Sequence, residues 1–268
     1  MVALALAPSA LAQPTGEYAP FDHCPYGLPA VDGCLLMEFT SGSLVLGSRT
    51  VPVVNPITFQ GGVSGFGPGT QFYDAVSADT LSNTPQPVPG GLNSVTAPTS
   101  WPALVQSWWN EQISNGLTGV NLTIEQAAPA SSIALDLEAF LFESGTALGL
   151  PVVIKLSNAI LGSNCYVGST LSPLQLELTT GISGARTGTT GTITFNGPAT
   201  IVTITGLKLV DGTFAAPSAS GCGGGYSPYV DPLIDSLFGL PAGSGSNALQ
   251  LEGDLEFAEA AAAAASDP

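Results

Sequence analysis

Leu249-Gln250-Leu251-Glu252-Gly253-Asp254-Leu255-Glu256-Phe257 is the stretch that decides the fold class of this chain. Side chains alternate across a strand, so Leu249, Leu251, Leu255 and Phe257 share one face, with Gly253 keeping the register, while Gln250, Glu252, Asp254 and Glu256 share the other. One face is dry and the other wet, as in a half-buried antiparallel strand. The same period of two recurs at Val120 to Glu125, Ile133 to Glu138, Val152 to Leu156 and Leu174 to Leu178. Two Thr-rich runs, Thr192 to Phe195 and Thr200 to Val210, flank a Gly197-Pro198 turn. Leu44 to Leu46 and Val51 to Phe59 also read as strands. Pro52 and Pro56 place the second at a sheet edge, because proline cannot donate to a ladder.

Two helices interrupt this pattern. Thr99 or Ser100 is the expected cap of a helix carrying Pro102 in its first turn, Trp108 and Trp109 in its body and Gly116 at its stop. Asp231 as N-cap and Pro232 as the first helical residue predict a second, ended by Gly239. Ala260 to Ala265 is helix-prone but too short to hold alone in water. Many short strands, frequent Gly/Pro turns and two short helices predict an all-β fold, a β-sandwich or related closed antiparallel architecture. The expected organisation is an apolar leader (1–12), one large β domain (13–258) and a flexible Ala-rich tail (259–268). Two smaller sandwiches joined by residues 61–116 are the alternative.

Composition narrows the function classes. Arg49, Lys155, Arg186 and Lys208 face twenty carboxylates, for a net charge of −16, and His23 is the single histidine. Nucleic-acid affinity rests on Lys and Arg neutralising phosphates, so no nucleic-acid partner is expected. Charged residues make up 9% of the chain and its mean hydropathy is positive, so it should fold, with uncharged polar groups forming the wetted surface.

Residues 1–12 combine an apolar run with Ala10-Leu11-Ala12, a small-x-small cleavage pattern ahead of Gln13, and predict export. Pro and Gly interrupt every later apolar run, so no transmembrane helix is expected. Four cysteines fit an oxidising compartment. They allow three connectivities; the short interval between Cys24 and Cys34 favours that pair, which leaves Cys165 with Cys222. Zinc is disfavoured, because the intervals contain no close cysteine pair.

The catalytic inventory is thin, and neither a catalytic residue nor a cofactor is expected. Asp136 and Glu138 share a face of the expected strand at Ile133 to Glu138, and Glu252, Asp254 and Glu256 share another; both sets read as polar strand faces rather than acid pairs or calcium ligands. Ser-His-Asp chemistry would have to use His23, without a G-x-S-x-G elbow. Trp108 and Trp109 point about 100° apart on their helix, which makes them candidate ligand-stacking residues, with burial in the core as the competing role.

Several segments resemble a family of secreted proteins of high-GC Gram-positive (actinobacterial) bacteria. They are the Cys24–Cys34 segment, Gly47 to Val53, Thr80 to Gly91, Leu161 to Gly168, and Thr213 to Pro217 running into Gly221-Cys222-Gly223. The resemblance implies export and the cysteine framework, and no activity. The leading expectation is a secreted or cell-surface, non-enzymatic structural or interaction module that meets envelope components or itself. A glycan- or lipid-binding module using the Trp helix or the 61–98 loop is the first alternative, a β-barrel pore the second and a carboxylate-only hydrolase the last.

Overall fold

The computed structural model describes residues 13–266 other than Ser94, so the apolar leader lies outside the described residues. Strands come in chain order as β1 (Gly33–Leu46), β2 (Arg49–Pro52), β3 (Ile57–Ser64), β4 (Gln71–Asp74), β5 (Gln86–Pro87), β6 (Asn121–Gln126), β7 (Ala134–Leu135) and β8 (Leu148–Ser157). They continue as β9 (Tyr166–Val167), β10 (Leu174–Leu178), β11 (Ile182–Ser183), β12 (Arg186–Thr187), β13 (Thr192–Asn196), β14 (Ile201–Asp211), β15 (Ala219–Ser220) and β16 (Ala248–Glu259). The α-helices are α1 (Ala103–Ser114), α2 (Leu137–Phe142), α3 (Ser227–Phe238) and α4 (Ala260–Ala265).

Two antiparallel sheets of seven strands pack face to face. The first runs β13-β14-β16-β1-β3-β4 with β2 beside β1; the second runs β15-β9-β8-β6-β5 with β7 and β10 beside β8. Each ends in its own edge strands and side chains fill the space between them, so the described residues form a sandwich and enclose no barrel lumen. Leu35, Met37 and Phe39 of β1 and Phe59 of β3 belong to one buried cluster with Leu122, Ile154, Leu156 and Leu176 of the other sheet. β16 pairs with β1 on one side and β14 on the other. Gly253 lies where β1 bulges, and a Cβ there would sit 1.9 Å from the Glu38 carbonyl, so only glycine fits the register.

Five local readings change. The strand expected over Ile133 to Glu138 stops at Leu135: Asp136 caps α2, accepting N–H groups from Glu138 at 2.9 Å and Ala139 at 3.2 Å. Ile57 to Phe59 is not at an edge, because β3 lies between β1 and β4, with Pro56 just ahead of its ladder; Pro52 ends the edge strand β2. α1 starts without a side-chain cap from Thr99 or Ser100. α3 begins at Ser227, one turn before Asp231, so Pro232 falls inside it and Asp231 is free for another role. Residues 260–265, expected to fray, form α4 with Ala260 and Ala263 buried, and Ser266 bonds back to Thr15.

Both disulfides form as favoured, Cys24–Cys34 and Cys165–Cys222, and fit an extracellular compartment. The first lies on the outer face of the first sheet, in a small cluster with Phe21, Ala258 and Ala263. The long 61–98 segment is organised by buried polar groups. Gln86 accepts N–H groups from Val54 and Asn55 and donates to the Asn55 and Thr84 carbonyls, which satisfies its amide completely. Among the described residues, no helix is long and apolar enough to cross a membrane.

Candidate functional site

The inner face of the first sheet extends further than the second sheet covers. Two cross-strand rows show this. Ile193, Ile204, Leu255, Met37 and Phe59 stand opposite one another across β13, β14, β16, β1 and β3, and Phe195, Val202, Phe257 and Leu35 form the adjacent row. Each row runs from core to solvent: Met37 and Leu35 are buried, Val202 and Phe257 half-buried, and at the edge Ile193 is 50% exposed and Phe195 65%.

Over this overhang lies an apolar groove of about 320 Å³. Its sheet wall is Ile193, Val202, Ile204, Leu255 and Phe257, and its opposite wall is Leu137, Phe140 and Leu141 of α2. Phe66, 61% exposed, forms the lip. Every lining side chain is Phe, Leu, Ile or Val. Ligand sites are concave and lined mainly by apolar side chains.

Local sequence explains why each wall stands where it does. Asp136 starts α2, and hydroxyls fix its far end: Thr180 donates to the Ala139 carbonyl at 2.9 Å and Thr190 to that of Phe140. Glu143, left-handed at the helix end, accepts the Thr190 N–H at 3.1 Å, which joins α2 to the segment leading into β13. Phe66 sits in the turn from β3 to β4. Asp32 accepts from Ser64 and Gly65 at its start, and Gly67, at φ 81°, takes a conformation that L-residues rarely adopt.

The residues singled out from sequence fall elsewhere. Trp109 is fully buried and donates its indole N–H to the Val95 carbonyl at 3.0 Å, so it presents no face to a ligand. Trp108 is half-buried, its ring centroid 4.6 Å from that of Tyr226; with Trp101 and Tyr229 these rings pack α1 against α3. His23 lies between two carboxylates, 3.7 Å from Asp22 and 3.5 Å from Asp79. Ser77, at φ 65°, lines the same open depression, but both imidazole nitrogens face carboxylates, which is not the arrangement of a serine-activating base. In the neighbouring depression Asp74 already accepts from Thr80, Gln126 and Ala130, and Glu125 pairs with Lys155 at 3.3 Å. The hydrogen bond to Glu125, then its charge and the contact with Tyr166, raise the Lys155 pKa.

Asp136 and Glu138 do not form an acid pair: one oxygen of Asp136 is committed to capping and Glu138 is exposed beside Gly67. Among the described residues no cluster of three or more His, Cys, Asp or Glu has the arrangement to hold a metal ion. The acidic strip of β16 lies on the outer face, where Asp254 stands opposite Glu38. Burial, then the charges of Asp254 and Glu38, raise the Glu256 pKa.

Ile193 and Phe257 read in the sequence only as apolar strand positions, and Phe66 and Leu141 carry no individual signal. The nearest one is the Gly65-Phe66-Gly67 triplet, which sets an aromatic side chain between two glycines in a segment without periodicity. In comparisons with known proteins, no family model, no curated protein and no solved structure matches this chain.

Proposed function

We propose that this is an exported, non-enzymatic interaction module of the cell envelope that binds the apolar part of a lipid in the groove between α2 and the overhanging sheet. The observation that carries this reading is the inner face at Ile193, Phe195, Val202 and Phe257, which among the described residues is roofed on one side only, by α2 and Phe66. A wholly hydrocarbon lining recognises hydrocarbon and offers no group for bond-breaking chemistry. Export is supported by the leader pattern and by the two disulfides. A non-enzymatic role is supported by the placement of the chemically able residues, since His23 lies between carboxylates, all four cysteines are bridged and Asp136 caps a helix.

The test combines fractionation of the host with titration of a neutral, environment-sensitive naphthylamine probe. The expected result is recovery in the exported or envelope fraction, and probe fluorescence that rises with the wild-type protein but not with Ile193→Glu. A cytoplasmic protein, or a rise unchanged by Ile193→Glu and by Phe66→Ser, overturns the reading. Both substitutions are at exposed positions, so the fold should survive them.

A further inference from the structure

Resting on that reading, we infer that the groove takes one hydrocarbon chain of an amphiphile whose head group is uncharged or cationic and stays outside at the Phe66 lip. The direction of entry follows from the burial gradient. Phe140, Ile204 and Leu255 are buried and close the inner end, while Ile193 and Phe66 are exposed at the mouth. Among the described residues no lining side chain can hydrogen-bond, so a head group drawn inside would lose its water without compensation. The chain therefore enters tail first.

The volume suits a single chain. The groove volume of about 320 Å³ stands near the lower end of ligand pockets, which run from about 300 to 1,000 Å³. At about 30 Å³ for a water-sized group it holds roughly ten such groups.

Charge selects the head. Glu138 lies against the Phe66 loop, its carboxyl carbon 3.0 Å from where a Cβ on Gly67 would stand. No Lys, Arg or His lines the groove. Lys155 and Lys208 are paired with Glu125 and Glu252, Arg49 donates to the Leu237 carbonyl, and Arg186 lies on β12. An anionic head would meet like charge at the lip of a chain whose net charge is −16.

Calorimetric titration with monomeric amphiphiles of equal tail tests this: decyl maltoside, decyltrimethylammonium and decyl sulfate, with hexyl and octyl members of each. The expected result is one-to-one binding of the first two and at least ten-fold weaker binding of decyl sulfate. Affinity should rise about four-fold per methylene from hexyl to decyl. Glu138→Lys should reverse the order of the two charged probes.

Ile193→Glu should abolish the dependence on tail length even for the cationic series, although it adds negative charge; this separates groove binding from attraction to an acidic surface. Decyl sulfate binding as tightly as decyltrimethylammonium would overturn the head-group inference and leave the apolar reading intact. Binding to neutral phospholipid vesicles without binding of any monomeric amphiphile would overturn the single-chain inference in favour of a membrane surface. A tail-length dependence that is absent, or that survives Ile193→Glu, would overturn both.

Discussion

Cys222 donates its backbone N–H to an Asp231 carboxylate oxygen at 2.7 Å, which ties the second disulfide to α3. The other oxygen takes the Gly221 N–H at 3.2 Å, and Asp235, one turn along the helix, takes that of Ala219 at 2.7 Å. Two carboxylates on one helical face thus occupy donors along the edge strand β15 and the loop after it, where free N–H groups would otherwise recruit another strand. The backbone N–H groups of Gly221 and Cys222 thus hold an anion that belongs to the protein itself.

Removing that anion should weaken the fold measurably. Asp231→Ala is expected to cost about 2 kcal/mol, as charge-assisted hydrogen bonds do, and Asp231→Asn about half as much, since its amide keeps one acceptor. Urea denaturation should show a lower midpoint with an unchanged slope. A midpoint equal to that of the wild type would mean that water replaces the carboxylate without loss.

The two bridges should differ in weight. Cys165–Cys222 spans 57 residues and Cys24–Cys34 spans ten. Chain-entropy reasoning assigns about 4 kcal/mol to the longer loop and about 3 to the shorter. Double alanine replacements, compared by chemical denaturation, should keep that order; a reversed order would show that packing around Cys24 outweighs loop closure.

Glu256 should make stability fall as pH rises. Its folded pKa is raised, chiefly by burial and then by Asp254 and Glu38, so the folded state holds a proton that the unfolded state releases near the ordinary value of about 4.3. Its stabilising contribution is full below that value and is lost as pH climbs through the raised one. Glu256→Gln should therefore stabilise the protein at neutral pH and not at acidic pH. The gain should be a few tenths of a kcal/mol, because the side chain is only partly buried and screened. Urea midpoints of both proteins at the two pH values check the sign; a gain confined to acidic pH would contradict it.

The sandwich was legible where period-two patterning is sustained, because burial of one sheet face imposes that period directly on β6, β8, β10 and β16. It misled at Ile133 to Glu138, where alternation continues past the end of β7. Ile133, Leu135 and Leu137 are all buried, but Asp136 turns the chain into a helix that begins at Leu137. The groove was illegible for a different reason. Ile193 and Phe195 alternate with threonines like any half-buried strand, and local sequence does not encode that the opposing sheet stops short of them. The buried amides of Gln86 and Asn247 were equally hidden, since a polar residue whose partners lie far along the chain looks like surface. Asn247 bridges the Gly47 N–H at 2.9 Å and the Phe214 carbonyl at 3.1 Å.

Asp136 offers the sharpest link between fold and groove. Its side chain caps α2, whose first residue, Leu137, belongs to the groove wall, so removing the cap should loosen the wall before it unfolds the protein. Asp136→Ala is expected to cost about 1 kcal/mol of stability and to weaken decyl maltoside binding several-fold. Asp136→Asn, still able to cap, should stay within two-fold of the wild type on binding and lose only tenths of a kcal/mol. Glu138→Gln should leave stability unchanged, because that side chain is exposed and takes no part in the cap. Thermal melts paired with the same titration decide the matter. If Asp136→Ala lowers the melting temperature but leaves binding untouched, the wall stands without its cap, and the hydroxyls of Thr180 and Thr190 alone position α2.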